Sequence, residues 1–222
     1  MCGGRGDPKV DQAVREGTRL VADVDLWFDP VCPYAWIASR WLLEVERVRE
    51  VSVHMHVMSL SVLNADRPEV SESSVRRGWG PVRVMTATTL AYGQEAVRAL
   101  YGAMGALIHQ ERVRVGRDLY ARALDRARLP HTLANAALTT VYDDAVRASH
   151  RAGVADLDDV AAAPVIHLPG PDGRVAVFAG PVLTPTPRGE AAGDLWDGLV
   201  RVARADAFFE IRRSRTRHPD FT

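Results

Sequence analysis

Every strand signal in this 222-residue chain lies toward one end or the other, and residues 61–155 between them carry only helical ones. Residues 22–28, ADVDLWF, alternate Val24, Leu26 and Phe28 with Asp23, Asp25 and Trp27, the two-residue period of a strand. Residues 51–59, VSVHMHVMS, put Val51, Val53, Met55 and Val57 on one side of a second strand. Between these two, Ile37, Trp41, Val45 and Val48 fall on one face of a helix over 33–49, with Pro33 suited to its first turn. A strand, a helix and a strand in that order form a parallel pair with a right-handed crossover. Far downstream, AAAPVIHL (161–168) predicts a short strand from Pro164, and PGPDG a turn. RVAVFAG (174–180) predicts a matching strand, and PRGEAAGDLWDGLVRVAR (187–204) a closing helix with Thr186 as N-cap and Pro187 at its first position.

A sheet that needs strands from both ends must tolerate whatever lies between them. The intervening residues predict helices over 68–78, 80–93, 95–109, 116–128, 131–138 and 140–152, with no fixed-period repeat. The order is therefore β-α-β, a helical insertion, then β-β-α. Without the insertion this is an α/β sandwich with a mixed sheet, the thioredoxin fold; an all-helical insertion between its halves is the DsbA-like variant. The predicted division is a disordered tail at 1–20, a thioredoxin-like domain from 21–60 and 160–222, and an inserted helical domain at 61–159.

Composition narrows the function. Twenty-eight basic side chains balance twenty-eight acidic ones, which argues against a nucleic-acid binder. The one basic run, Arg212-Arg213-Ser214-Arg215-Thr216-Arg217, reads as a solvated C-terminal tail. No apolar leader and no membrane-length apolar run is visible, so a cytoplasmic protein without a membrane partner is expected. The two cysteines are Cys2, in a glycine-rich start, and Cys32. A bond between them would tie a tail to a candidate active site, so free thiols are expected. His54 and His56 share a strand face without a ligand pattern, so no metal site is predicted. Gly3-Gly4-Arg5-Gly6 follows no strand, and no flavin or nicotinamide fingerprint occurs. Asp156, Asp158 and Asp159 read as a solvated loop.

Chemistry concentrates at FDPVCPYAW (28–36). Cys32 falls directly before the first predicted helix, where unpaired N–H groups and the helix dipole stabilise a thiolate. A pKa below that of free cysteine is therefore expected. Pro164 stands where a cis-proline faces the reactive cysteine of a thioredoxin fold, with Ala163 before it and Val165 after. The position three after Cys32, which would carry the second cysteine of a redox Cys-x-x-Cys, is Ala35.

FDPVCPYAW, HVMSLSVLN (56–64), WGPVRV (79–84), LYGAMGALIH (100–109), APVIHL (163–168) and GPVLTPTPRGEAAGDLWD (180–197), in this order, resemble the mycothiol-dependent nitroreductases, actinobacterial DsbA-like proteins. The arginine-rich composition, with Lys9 the single lysine, agrees with a GC-rich genome. The resemblance implies an oxidoreductase that takes electrons from mycothiol to reduce nitro compounds or mixed disulfides. It transfers the nucleophile to Cys32 and the motif proline to Pro33. Tyr34 replaces the family's tryptophan, and Asn64, His109 and, more loosely, Trp79 match residues near the substrate pocket. The family's resolving cysteine does not transfer, because Ala35 holds its place.

A single thiol still supports a cycle. Cys32 attacks a thiolated partner, becomes S-mycothiolated, and a second small thiol releases it. Cys2 as a remote resolving thiol is a weaker alternative. Two rivals stay open: an isomerase or thiol-transferase relative without net redox chemistry, and a non-catalytic thiol-binding protein. The expected partners are a small thiol and a small-molecule or mixed-disulfide substrate, and an apolar face on the insertion would suit a homodimer.

Overall fold

The computed structural model describes residues 22–158, 163–170 and 173–221. The predicted tail at 1–20, Cys2 and Asp159 lie outside them. Strand β1 (Ala22–Phe28) leads through helix α1 (Pro33–Val48) to β2 (Val51–Val57), and the two strands pair in parallel from Ala22↔Val51 to Phe28↔Val57. All described elements before the next strand are helical: α2 (Leu60–Leu63), α3 (Glu72–Gly105), a π-helical turn (Ala106–Gln110), α4 (Arg117–Ala127), a 3-10 segment (His131–Leu138) and α5 (Asp143–Val154). Then β3 (Val165–Pro169) and β4 (Val175–Ala179) form an antiparallel pair, and α6 (Glu190–Ala203) follows. β3 pairs antiparallel with β1, so the sheet order is β2-β1-β3-β4. This is the mixed sheet predicted from the strand signals at the two ends.

The alternation in β1 holds, but both sheet faces are covered. Val24, Leu26 and Phe28 are fully buried on one face. On the other, Trp27 lies between the rings of His56 (4.4 Å) and His167 (4.1 Å) and donates its indole N–H to the Ser149 carbonyl of α5. Gly153 lets α5 approach this closely, since a Cβ there would stand 2.5 Å from Trp27 Cδ1. His54 and His56 reach the carboxylates of Asp23 and Asp25 at 3.3 and 2.6 Å.

Boundaries in the insertion differ from the predicted ones. One helix runs through the predicted junction at 79, with Pro81 inside it. It begins at Glu72 because Ser71 caps it, accepting the Ser74 N–H at 3.3 Å. Its break comes at Gly93, whose φ of 75° no L-residue adopts without strain. Beyond the break Gln94 reaches the outer edge of β2, accepting the Met55 N–H (2.9 Å) and donating to the Met55 carbonyl (3.1 Å). Glu46 accepts the Val53 N–H (2.8 Å) and is ion-paired with Arg98, which lies 3.5 Å from the Val53 carbonyl. The last helix also starts later than predicted. Thr186 is buried rather than capping, and Gly189 precedes α6 with a φ of 53°.

Candidate active site

β1 ends at Phe28, and the chain turns into α1 through Asp29, Pro30 and Val31. The turn closes with the Cys32 N–H on the Asp29 carbonyl at 3.0 Å, and the Cys32 carbonyl accepts the Trp36 N–H at 3.1 Å. Cys32 is thus the N-cap of α1, in extended conformation, with Pro33 at the first helical position. The Ala163–Pro164 peptide is cis, as the sequence predicts. Its Ala163 carbonyl accepts a hydrogen bond from Cys32 Sγ at 3.2 Å. The Pro164 carbonyl is taken by the Gly180 N–H, and Val165 begins β3 opposite Trp27. Cys32, Pro33, Ala163, Pro164 and Val165, far apart in sequence, therefore meet at one end of the sheet.

The expected low thiol pKa is reversed. Burial pushes the Cys32 thiol up to about 11, against the N–H groups of Ala35 and Tyr34 that stabilise a thiolate, with the nearby Asp29 carboxylate also disfavouring it. Only 3% of Cys32 is exposed, and Ala35 is completely buried. The helix start is present as predicted, but the thiol is shielded from solvent. In this conformation Cys32 is a protonated thiol that donates to Ala163.

Asp29 is a site residue that the sequence does not single out. It is fully buried, yet both carboxylate oxygens are used: Oδ1 accepts the Val31 N–H at 2.9 Å and Oδ2 the Leu60 N–H at 2.7 Å. Burial lifts its pKa to about 6, with the two N–H groups pulling the other way. It ties the loop after β1 to the loop after β2. The neighbouring Ser59 N–H is received at 3.4 Å by Nδ1 of His150, whose pKa burial lowers. An aspartate three residues before the cysteine, at a strand end, was the available signal: its side chain readily accepts N–H groups two residues on.

His109 joins this loop from the insertion. It sits in the π-helical turn that ends α3, a local irregularity common at functional sites. Its Nε2–H donates to the Pro30 carbonyl at 3.0 Å, which leaves Nδ1 as acceptor. Burial lowers its pKa to about 4, so the ring is neutral near pH 7. The ring stacks on Trp36 (5.9 Å), whose other neighbour is the Arg40 guanidinium at 4.2 Å, and Phe221 flanks His109 at 5.4 Å. Gly105 makes room for this stack, since a Cβ there would lie 2.1 Å from Trp36 Cε3.

The basic run is not merely solvated. Its side chains are exposed, but Arg215 stands over the Tyr34 ring at 5.0 Å, two residues beyond the cysteine. Asn64 and Trp79 do not share these contacts. Asn64 caps the short α2 with its N–H on the Leu60 carbonyl. Trp79 lines an open hollow of about 600 Å³ with Asp66, Arg67, Arg76 and neighbours, its ring between the guanidiniums of Arg83 and Arg147, each at 5.1 Å.

A sheet of this order with a helical insertion and a helix-start cysteine beside a cis-proline defines a DsbA-like thioredoxin fold. A probable DsbA oxidoreductase from Streptomyces coelicolor superposes with a TM-score of 0.51 at 14% identity, covering 88% of this chain and 94% of that one. The cytosolic disulfide reductase DsbM from Pseudomonas aeruginosa, solved with GSH, gives 0.52 at 15% identity over 81% and 99%. More specifically, residues 31–213 match the Rv2466c-like family, described as mycothiol-dependent nitroreductase Rv2466c, and the chain belongs to that family. An uncharacterized Mycobacterium tuberculosis protein, Rv2286c, is 28% identical over 202 residues, 87% of this chain and 82% of its own length. The family is one of thiol oxidoreductases. No helix among the described residues is long and apolar enough to cross a membrane.

Proposed function

We propose that this protein is a cytoplasmic, mycothiol-dependent reductase that works through one cysteine. The observation that carries the reading is Cys32 at the start of α1, hydrogen-bonded to Ala163, with a buried Ala35 where a second thiol would stand. Cys32 and Pro33 form the nucleophilic end. Ala163, Pro164 and Val165 present backbone to the substrate, and Tyr34, Asn64, Trp79 and His109 bound it. Family membership supports mycothiol as the thiol, and the neighbour solved with GSH supports a small-thiol site on this fold.

The cycle balances without a second cysteine. Cys32 loses its proton to solvent, and its thiolate attacks one sulfur of a mixed disulfide. A new Sγ–S bond forms as the old S–S bond breaks, and the leaving thiolate takes a proton. A free mycothiol then attacks the adduct, forms mycothiol disulfide and returns Cys32. For a nitro substrate, two thiols give one disulfide, one water and the nitroso product.

The buried, protonated thiol favours the two rivals, an isomerase or thiol-transferase relative without net redox chemistry and a non-catalytic thiol-binding protein. Incubation with mycothiol and either a nitroaromatic or a mycothiol mixed disulfide separates them. The reductase reading expects disulfide to accumulate and a single Cys32 adduct in the mass spectrum, both lost in Cys32→Ser. Binding of mycothiol with none consumed would leave the rivals standing. Ala35→Cys is expected to release the adduct without added thiol, by closing a bond to Cys32.

A further inference from the structure

After α6 the chain runs without regular structure from Arg204 to Phe221 and crosses the active-site end of the sheet as a strap. It is anchored at both ends. Asp206 pairs with Arg174 (3.1 Å), and Phe208 lies against Phe178 of β4 (6.4 Å). At the far end Thr184 donates to the His218 carbonyl (3.3 Å) and accepts the Asp220 N–H (2.8 Å). Gln110 then donates to the Phe221 carbonyl (2.9 Å), and the Phe221 ring meets His109. The basic run spans the interval between these anchors, over the loop that carries Cys32.

The charges of that run are mostly unspent. Arg212 pairs with Glu210, but among the described residues no carboxylate pairs with Arg213, Arg215 or Arg217. In a chain of zero net charge this is a local excess of cation beside the start of α1. The Arg215 guanidinium lies over the ring of Tyr34, the second residue after Cys32, at 5.0 Å. A guanidinium over an aromatic ring spends no N–H hydrogen bond on it, so its donors stay available to a carboxylate or phosphate.

We propose that Arg215 is a specificity-determining residue, and that the strap selects small substrates carrying a carboxylate, sulfonate or phosphate near the reacting disulfide or nitro group. The inference rests on Cys32 being the nucleophile. It assigns the recognition of charge to a segment outside both the motif and the sheet.

The test compares two disulfides on the full chain carrying Cys2→Ser: 5,5′-dithiobis(2-nitrobenzoate), which is dianionic, and 4,4′-dithiodipyridine, which is neutral. In each, the Cys32 thiolate forms one Sγ–S bond and expels one arylthiolate, which is read by absorbance. Arg215→Gln is expected to slow the dianionic probe about fivefold to tenfold at low salt and the neutral one less than twofold. Arg215→Lys restores most of the difference, and raising the salt toward 1 M erases it in the parent. Equal changes with both probes would make the strap a cover without charge selection and overturn the proposal, as would an unchanged ratio. Silence of the parent toward both probes would instead remove Cys32 as nucleophile, and the inference with it.

Discussion

The surroundings of Cys32 and those of Trp79 are built in opposite ways. Around Cys32 everything is closed: Asp29, Ala35 and Trp36 are buried, His109 is fixed to Pro30, and the thiol itself is bonded to Ala163. Around Trp79 the structure is more open, with a hollow of about 600 Å³ and a half-buried aromatic ring that packs on the core and meets two arginines. The closed flank sets the position and protonation of one sulfur, where small shifts matter. The open flank leaves side chains of residues 65–79 facing the hollow.

The comparison breaks most readily at Asp29. Asp29→Ala strands the Val31 and Leu60 N–H groups in a buried loop and is expected to cost about 3 kcal/mol or more in urea unfolding, at about 1–3 kcal/mol for each unsatisfied group. Asp29→Asn keeps an acceptor and should cost less. If Asp29→Ala unfolds like the parent, the closed flank is not what holds the two loops together.

Protonation tests the same flank with opposite signs. His109, lowered from 6.5 to about 4, contributes stability that is present above pH 6.5 and lost as pH falls toward 4. Asp29, raised from 3.8 to about 6, contributes stability that is present below pH 3.8 and lost as pH rises through 6. Each effect reaches at most about 3 kcal/mol at 1.36 kcal/mol per pKa unit, and they nearly cancel between pH 4 and 6. Chemical unfolding across that window is expected to be almost flat in the parent. His109→Gln should lose stability as pH rises, and Asp29→Asn should gain it. Parallel slopes in all three proteins would contradict the assignment.

Packing comes next. Gly105→Ala drives a methyl into the Trp36 ring and is expected to cost about 1–3 kcal/mol, with a change in Trp fluorescence. The smallest stability effect belongs to the open flank. Trp79→Ala should leave unfolding within about 1 kcal/mol while raising KM severalfold at constant kcat, the pattern of lost uniform binding. A fall in kcat instead would move Trp79 to the closed side.

The sheet, α1 and the order of elements were legible because their signals are local: alternation in ADVDLWF, the spaced apolar face from Ile37 to Val45, the Pro at a helix start. The helix end at Gly93 was legible, whereas the junction expected at 79 is absorbed into one helix that carries Pro81 inside it. What stayed hidden depended on contacts across the chain. Neighbouring residues predict an activated Cys32, and only the third dimension shows the burial that raises it. A charge run without periodicity reads as solvent-exposed, and nothing in it announces that Arg215 meets Tyr34. Asp29 reads as a turn because its partner amide at Leu60 lies beyond an entire helix.

One feature of the insertion reaches past catalysis. Gln94, Glu46 and Arg98 occupy backbone groups that β2 would otherwise offer along its outer border at Val53 and Met55. A strand edge satisfied in this way is poor at recruiting a foreign strand, so the sheet is shielded on that side from growing between molecules. Two copies of this chain that meet there must do so side chain to side chain, and an unfolding intermediate that releases Gln94 would expose an aggregation-prone border before the core itself opens.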